Sequence, residues 1–474
     1  MVRFMRTAAP SRAWRLVLCA VLCAPVLSCG GDGSGGGSTG LTTSGSSGGS
    51  TGLTTSGSSG GSAGLTTSGS SGGSTGLTSG STSPTGGGST GSSSTSGSSA
   101  PTGHNVVSVV VNGGPSSVST DVNTLFTTVT VCTPGSTTNC QTINNIQVDT
   151  GSYGLRILAP VLTISLPVQM ASSGGSLVEC AIFADGYSWG SVALADVQVS
   201  GESASSVPVQ VIGDPNFPNT PANCSSVGPA LDTVAAFGAN GIIGVGVFAQ
   251  DCGPACTTTV DNGFYYSCAS GSVQCQPTAV QSLTSMVTNP VALFAIDNNG
   301  VIMQLPSVAA AGAETVSGYM IFGIDTQTNN KSGTQTILTV DSTLGDFTTV
   351  LNGQSLTQSF LDTGSNGLFF NDSSDSSVVP CTTSGLKNFY CPSSTLNLSA
   401  TLQGQNGTSV SASFSVGNPE TFNDTFTAFP MLAGTFPNSA PTFDWGLPFY
   451  FGRTVYTAIQ GATTSVGTGP YVAF

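Results

Sequence analysis

The chain has 474 residues, 64 of them glycine, and only 6% are charged: eight Lys and Arg face 22 Asp and Glu, for a net charge of −14. So acidic a chain is a poor partner for nucleic acid or an anionic bilayer surface, both of which are bound through clustered Lys and Arg. The single histidine, His104, leaves no base for a Ser-His-Asp or Cys-His site and cannot assemble a His-rich metal centre.

In chain order, "MVRFMRTAAPSRAWR" carries four arginines and runs into the short apolar stretch "LVLCAVLCAPVLSC". A basic start, an apolar middle and a small-residue end read as an export signal over residues 1–28, too short for a comfortable membrane span. Val26-Leu27-Ser28-Cys29 resembles the bacterial lipobox, which implies lipidation of Cys29 and a lipid anchor in the membrane. Gly30 after that cysteine, where an aspartate would imply inner-membrane retention, implies outer-membrane sorting, with the protein on the periplasmic or cell-surface side.

Residues 29–103 are nearly all Gly, Ser and Thr and repeat "GGSTGLTTSGSS", with Leu41, Leu53, Leu65 and Leu77 twelve residues apart. One apolar residue per repeat cannot build a core, so this stretch reads as a flexible tether with a span of roughly 50 Å. Loss of the signal takes four of the eight cations with it. Arg156, Lys331, Lys387 and Arg453 then face 22 acids, a net charge of −18.

The remainder suits two lobes, 104–315 and 316–474. Strand signals dominate it: 106–111, 125–132, 162–170, 207–212, 291–296, and a hairpin over 396–416 that turns at Asn406-Gly407, with both turn residues expected at positive φ. Only "TAVQSLTSMVT" (278–288) has a helical look, and the predicted class is all-β. Ten cysteines remain outside the signal, an even number in an exported chain, so disulfides are expected. Close neighbours suggest Cys132 with Cys140, Cys252 with Cys256, Cys268 with Cys275 and Cys381 with Cys391, leaving Cys180 for Cys224. Nested pairing among the four from 252 to 275 is equally allowed, and those four could instead bind zinc, although they contain no C-x₂-C pair.

One phrase occurs twice. "QVDTGSYGLRIL" (147–158) and "SFLDTGSNGLFF" (359–370) share apolar residues before an aspartate, then Thr-Gly-Ser, then Gly-Leu and a further apolar position. A lone Asp-Thr-Gly is most often a turn in which the aspartate caps local N–H groups. Two copies, one per half, suggest paired carboxylates instead. Two aspartates within hydrogen-bonding distance cannot both ionise; sharing one proton, they can take a proton from water while giving one to a carbonyl.

Further landmarks follow in order: "AIFADGYSWGSVALADVQVSG" (181–201), "NGIIGVG" (240–246), "GYMIFGID" (318–325) and "FDWGLPFYFGRTVYTAI" (443–459). Together with the two Asp-Thr-Gly-Ser loops, this ordered set resembles the pepsin-type, two-lobed aspartic peptidases over roughly 140–460. The resemblance implies a two-lobed β-barrel architecture and endopeptidase activity, with Asp149 and Asp362 as the catalytic dyad around a water. Gly151 and Gly364 would let the backbone approach it; Thr150 and Thr363 would lock the two loops together; Ser152 and Ser365 would bond the outer carboxylate oxygens. The implied partner is an extended polypeptide bound under a flap hairpin; no metal or organic cofactor is implied, and a monomer is expected.

Phe183 stands where that family has its flap tyrosine, with Tyr187 and Trp189 as the hairpin's other candidates. Arg156 replaces an aromatic residue and suggests a pocket for an acidic group. Asp444 replaces an apolar residue and is a candidate cap for a following short helix. The alternative reading is a pepsin-like scaffold without catalysis, a binding or structural lipoprotein of the envelope.

Overall fold

The computed structural model describes residues 100–118, 121–269, 274–436 and 440–474. The export signal, Cys29 and the repeat tether before residue 100 lie outside the described residues. The rest is all-β, as the sequence leads one to expect; its α-helices are single turns, Ala222–Ser225, Val234–Phe237 and Ala255–Thr258.

A fifteen-stranded sheet is built around Val106–Val111, whose β-branched residues suit a strand; Val109 and Val111 are buried and Ser108 is exposed. It pairs with Leu125–Cys132 on one side and along its whole length with Val316–Phe322 on the other, joining the first and second halves of the chain. Gly300–Gln304, Thr454–Ala458, Tyr471–Ala473 and Ile337–Thr339 continue the sheet in that direction. A second sheet of seven strands contains Gln354–Leu361, Leu368–Phe370, Phe443–Trp445 and the hairpin Leu396–Gln403 with Ser409–Val416. The main core is continuous across the halves: Val148, Leu155, Ile243 and Val245 belong to the same apolar cluster as Leu361, Leu368, Phe370 and Trp445.

The 396–416 hairpin forms as expected, but its turn does not. Five residues separate the strands, and of the pair only Gly407, at φ +77°, is left-handed; its N–H closes a turn on Gly404 O at 2.9 Å. Three other readings fail. Residues 162–170 make only isolated bridges, Val168 with Ala193 and Met170 with Ser176, because Pro167 lacks the N–H a ladder needs. Residues 291–296 begin as a 3₁₀ turn, Pro290–Leu293, started by Asn289, whose side chain accepts from Val291 N. The expected helix over 278–288 is reduced to Leu283–Ser285, since Val280, Met286 and Val287 are drawn one by one into a satellite core with Cys252 and Cys256.

The ten cysteines form five disulfides: Cys132–Cys140, Cys180–Cys224, Cys252–Cys256, Cys268–Cys275 and Cys381–Cys391. Nested pairing is thereby excluded, and no thiolate is left among residues 252–275 to hold zinc.

Candidate active site

Each Asp-Thr-Gly-Ser loop sits on the same three-strand device. In the first, Cys140–Asp149 leads into the loop and Tyr153–Leu158 leads out, while Gly241–Val245 threads between them, parallel to the first and antiparallel to the second. In the second, Phe443–Trp445 threads in the same way between Gln354–Leu361 and Leu368–Phe370. The registers correspond: Gln147 pairs with Ile242 and Val148 with Ile243, as Phe360 pairs with Asp444 and Leu361 with Trp445. Close threading requires glycine. A Cβ on Gly244 would lie 2.4 Å from Tyr153 N, and one on Gly446 2.1 Å from Gly367 O.

The loops are fastened to each other by a two-fold clasp. Thr363 Oγ1 donates to Val148 O at 2.8 Å and accepts from Thr150 N at 3.1 Å. Thr150 Oγ1 donates to Leu361 O at 3.2 Å and accepts from Thr363 N at 3.0 Å. Since the one hydroxyl proton of Thr150 goes to Leu361, the 2.8 Å contact with Tyr450 Oη makes the tyrosine the donor there. Both threonines are buried, so these bonds hold the halves in register without competition from water.

The clasp brings the two aspartates face to face. Gly151 N donates to Asp149 Oδ1 and Gly364 N to Asp362 Oδ1, each at 2.7 Å, and the carboxyls also hydrogen-bond each other. Each lies over the other loop's glycine, where a Cβ on Gly151 would come within 2.6 Å of Asp362 Cγ and one on Gly364 within 2.6 Å of Asp149 Oδ1. Asp149 is buried, whereas Asp362, Gly151 and Gly364 keep partial exposure, so solvent reaches the pair from one side. Burial first, then the negative charge of Asp362 and the bond between the carboxyls, push the Asp149 carboxyl well above the ordinary aspartate range.

The serines are not equivalent. Ser365 Oγ lies 2.8 Å from Asp362 Oδ2, as expected. Ser152 is buried against Asp149 and favours its charged form slightly, but its hydroxyl makes no hydrogen bond of normal geometry. The second aspartate is therefore the better solvated by protein donors.

Other candidates are placed elsewhere. Phe183 packs edge-on against Phe237, Tyr187 bridges to Ala230, and Trp189 packs on Tyr266 and donates to Phe217 O. The hairpin carrying them is stapled to the 214–237 segment by Cys180–Cys224, and none of these contacts is with the dyad. Arg156 cannot serve an acidic ligand: it is 1% exposed, bound to Glu179 at 2.6 Å, Asp251 at 3.1 Å and Tyr153 O at 2.8 Å. Asp444 does not cap the turn Leu447–Tyr450, whose N-cap is Gly446 with no side-chain cap bond; it lies 2.7 Å from Ser365 Oγ instead. Tyr450 has no marker in the sequence beyond its place in the aromatic run after Trp445-Gly446. A cavity of about 20 Å³ beside Thr150 and Gly151, lined by Tyr153, Val247, Phe347 and Phe360, has room for a water and not for a peptide side chain.

No curated protein matches the chain. Residues 101–474 match the family described as "Protein of unknown function (DUF3443)", and the chain belongs to that family.

Proposed function

We propose that the protein is an aspartic endopeptidase resembling the pepsin type, cutting extended polypeptides at acidic pH. The observation that carries this reading is the facing pair Asp149 and Asp362, supplied by two copies of one loop and hydrogen-bonded to each other. A turn motif needs an aspartate to cap its own loop; it gains nothing from a second carboxyl opposite, which makes the first harder to ionise.

Roles follow from the environments. Asp149, buried and raised, holds the shared proton, while Asp362, with N–H and O–H donors on both oxygens, carries the charge. Asp362 takes a proton from a water whose oxygen bonds to the scissile carbonyl carbon, and the carbonyl oxygen takes the proton of Asp149. Collapse of the tetrahedral adduct returns a proton to Asp149 from the new diol. Asp362 passes its own proton to the leaving nitrogen, and the C–N bond breaks.

A non-catalytic binder is the second reading, favoured by one observation: the hairpin read as a flap is fastened by Cys180–Cys224 and packed just past its turn, at Gly186, against Pro229 and Leu231. Five disulfides favour an oxidising compartment, consistent with export and a lipid anchor at Cys29 in the outer membrane.

Incubation of an unfolded protein substrate with the purified chain across acidic and neutral pH tests the proposal. Pepstatin-sensitive cleavage in acid, reduced by about 10²–10⁴-fold or more in Asp149→Ala and Asp362→Asn, supports it. An inert wild type that captures the peptide with an affinity unchanged by Asp362→Asn supports the binder.

A further inference from the structure

Asn123 belongs to the first half of the chain by sequence and to the second by its bonds. It is 0% exposed at φ +50°, a left-handed conformation that asparagine adopts more readily than most side chains do. Nδ2 gives its two protons to Asn366 O at 2.7 Å and Phe429 O at 2.9 Å, and Oδ1 accepts from Phe429 N at 2.7 Å. The backbone N–H donates to Thr427 O at 2.7 Å, and the preceding Val122 packs into an apolar cluster of the second half with Phe369, Phe389, Phe429 and Leu432.

One of these bonds bears on the site. Asn366 follows Ser365, whose hydroxyl contacts Asp362 Oδ2, and Gly364 precedes it. Gln147, on the strand that leads to Asp149, donates from Nε2 to Gly364 O at 3.1 Å. Side-chain amides of the first half thus hold the carbonyls on either side of Ser365. Beyond the threonine clasp, the Asp149 loop takes bonds from its own half: Gly246 N donates to Ser152 O at 3.1 Å and Arg156 Nη1 to Tyr153 O at 2.8 Å. The matching position in the second half accounts for the asymmetry. Asn123 stands two residues before Leu125–Cys132 and Gly345 two before Phe347–Leu351, each strand pairing with the one that enters its Asp-Thr-Gly-Ser loop, and Gly345 is also left-handed, at φ +77°. Glycine meets the same backbone demand but has no amide to reach across.

We propose that Asn123 is a positioning residue: an amide of the first half that grips the loop carrying Asp362 and sets where this carboxyl stands opposite Asp149. The clasp fixes the two loops at the threonines, and the bond from Asn123 to Asn366 O fixes the far side of the second loop, so that Ser365 and the carboxyl it contacts keep one place. A buried amide with every donor and acceptor bonded holds firmly, since releasing it would strand polar groups away from water. The effect on rate rests on the hydrolytic reading; the grip itself does not.

Asn123→Gly keeps the backbone conformation, removes the amide and so tests the grip. Gly151 N–H on Asp149 and Gly364 N–H on Asp362 are matched reporters, read by amide hydrogen exchange in NMR. Exchange at Gly364 should rise by about tenfold or more while Gly151 stays within about twofold, because a local opening touches one loop and a general loss of stability touches both. Equal change at the two glycines, or none, overturns the proposal. In a cleavage assay kcat should fall by about 10–100-fold with KM held within about twofold, as displacement of a reacting group requires. An unchanged kcat overturns the proposal as well. Should Asn123→Gly fail to fold, the wild type decides: Asn123 side-chain amide protons protected from exchange uphold the grip, and protons exchanging as fast as those of an exposed asparagine overturn it. If the wild type cleaves nothing, the hydrolytic reading fails and the exchange result still decides the grip.

Discussion

Asp149 and Arg156 are seven residues apart and show two ways of burying charge. Asp149 has no cation beside it and is pushed toward its neutral form. Because the folded state holds that proton more tightly than the unfolded chain, its stabilising contribution is full below the unfolded value near 3.8 and is lost as pH rises through the raised value. Asp251, raised by burial and by Glu179, works in the same direction. Thermal unfolding followed by circular dichroism should therefore show Asp149→Asn more stable than wild type at pH 7 and indistinguishable from it at pH 3. Arg156 is the opposite case, with Glu179 and Asp251 around it and Tyr265 Oη donating to Asp251 Oδ1 at 2.6 Å. Arg156→Ala strands those acids, and urea unfolding should report a loss of about 3–5 kcal/mol. The census of basic residues makes Arg156 conspicuous in the sequence; nothing local to it reveals Glu179 and Asp251, 23 and 95 residues further on.

Among elements, the twin threaded devices carry the most information. Gly244 stands against the backbone of Ser152 and Tyr153 and Gly446 against that of Ser365 and Gly367, each at the exit of an Asp-Thr-Gly-Ser loop, so Gly446→Ala should cost about 1–3 kcal/mol in chemical denaturation and lower activity by disturbing the Asp362 loop. Neither position has room for a Cβ, whereas Gly407→Asn, in an exposed turn with open space around it, should be nearly neutral. These devices were legible because their glycines and flanking apolar residues recur in both halves. The stretch from 278 to 296 was not, since its residues answer to partners distant in sequence: Val280 N bonds Cys256 O, and Val287 N bonds Tyr265 Oη. Local propensity has no access to such partners.

For the whole molecule, the disulfides divide by reach. Four close loops of ten residues or fewer, while Cys180–Cys224 spans 44 and ties the long hairpin to the segment that covers it. Loop-closure entropy puts removal of that bridge, by Cys180→Ala with Cys224→Ala, at about 4 kcal/mol. If the fastened hairpin restricts substrate entry, the same double variant should raise the cleavage rate at a temperature where it remains folded. Class, pairing of neighbouring cysteines and the meeting of the two Asp-Thr-Gly-Ser loops were open to sequence reading because each rests on a repeat or a count. The Tyr450 and Asp444 contacts were not, because they depend on where side chains of a strand and of the turn after it meet loops 79 and 300 residues away.

In the proposed reaction the two aspartates act as one acid–base unit. Calorimetric affinity for a statine-type peptide, compared with the same peptide lacking the statine hydroxyl, measures this directly, since the hydroxyl occupies the place of the attacking water. The hydroxyl should strengthen binding by about 100-fold or more in the wild type and contribute nothing in Asp149→Ala. Equal affinity of the two peptides for the wild-type protein would contradict it.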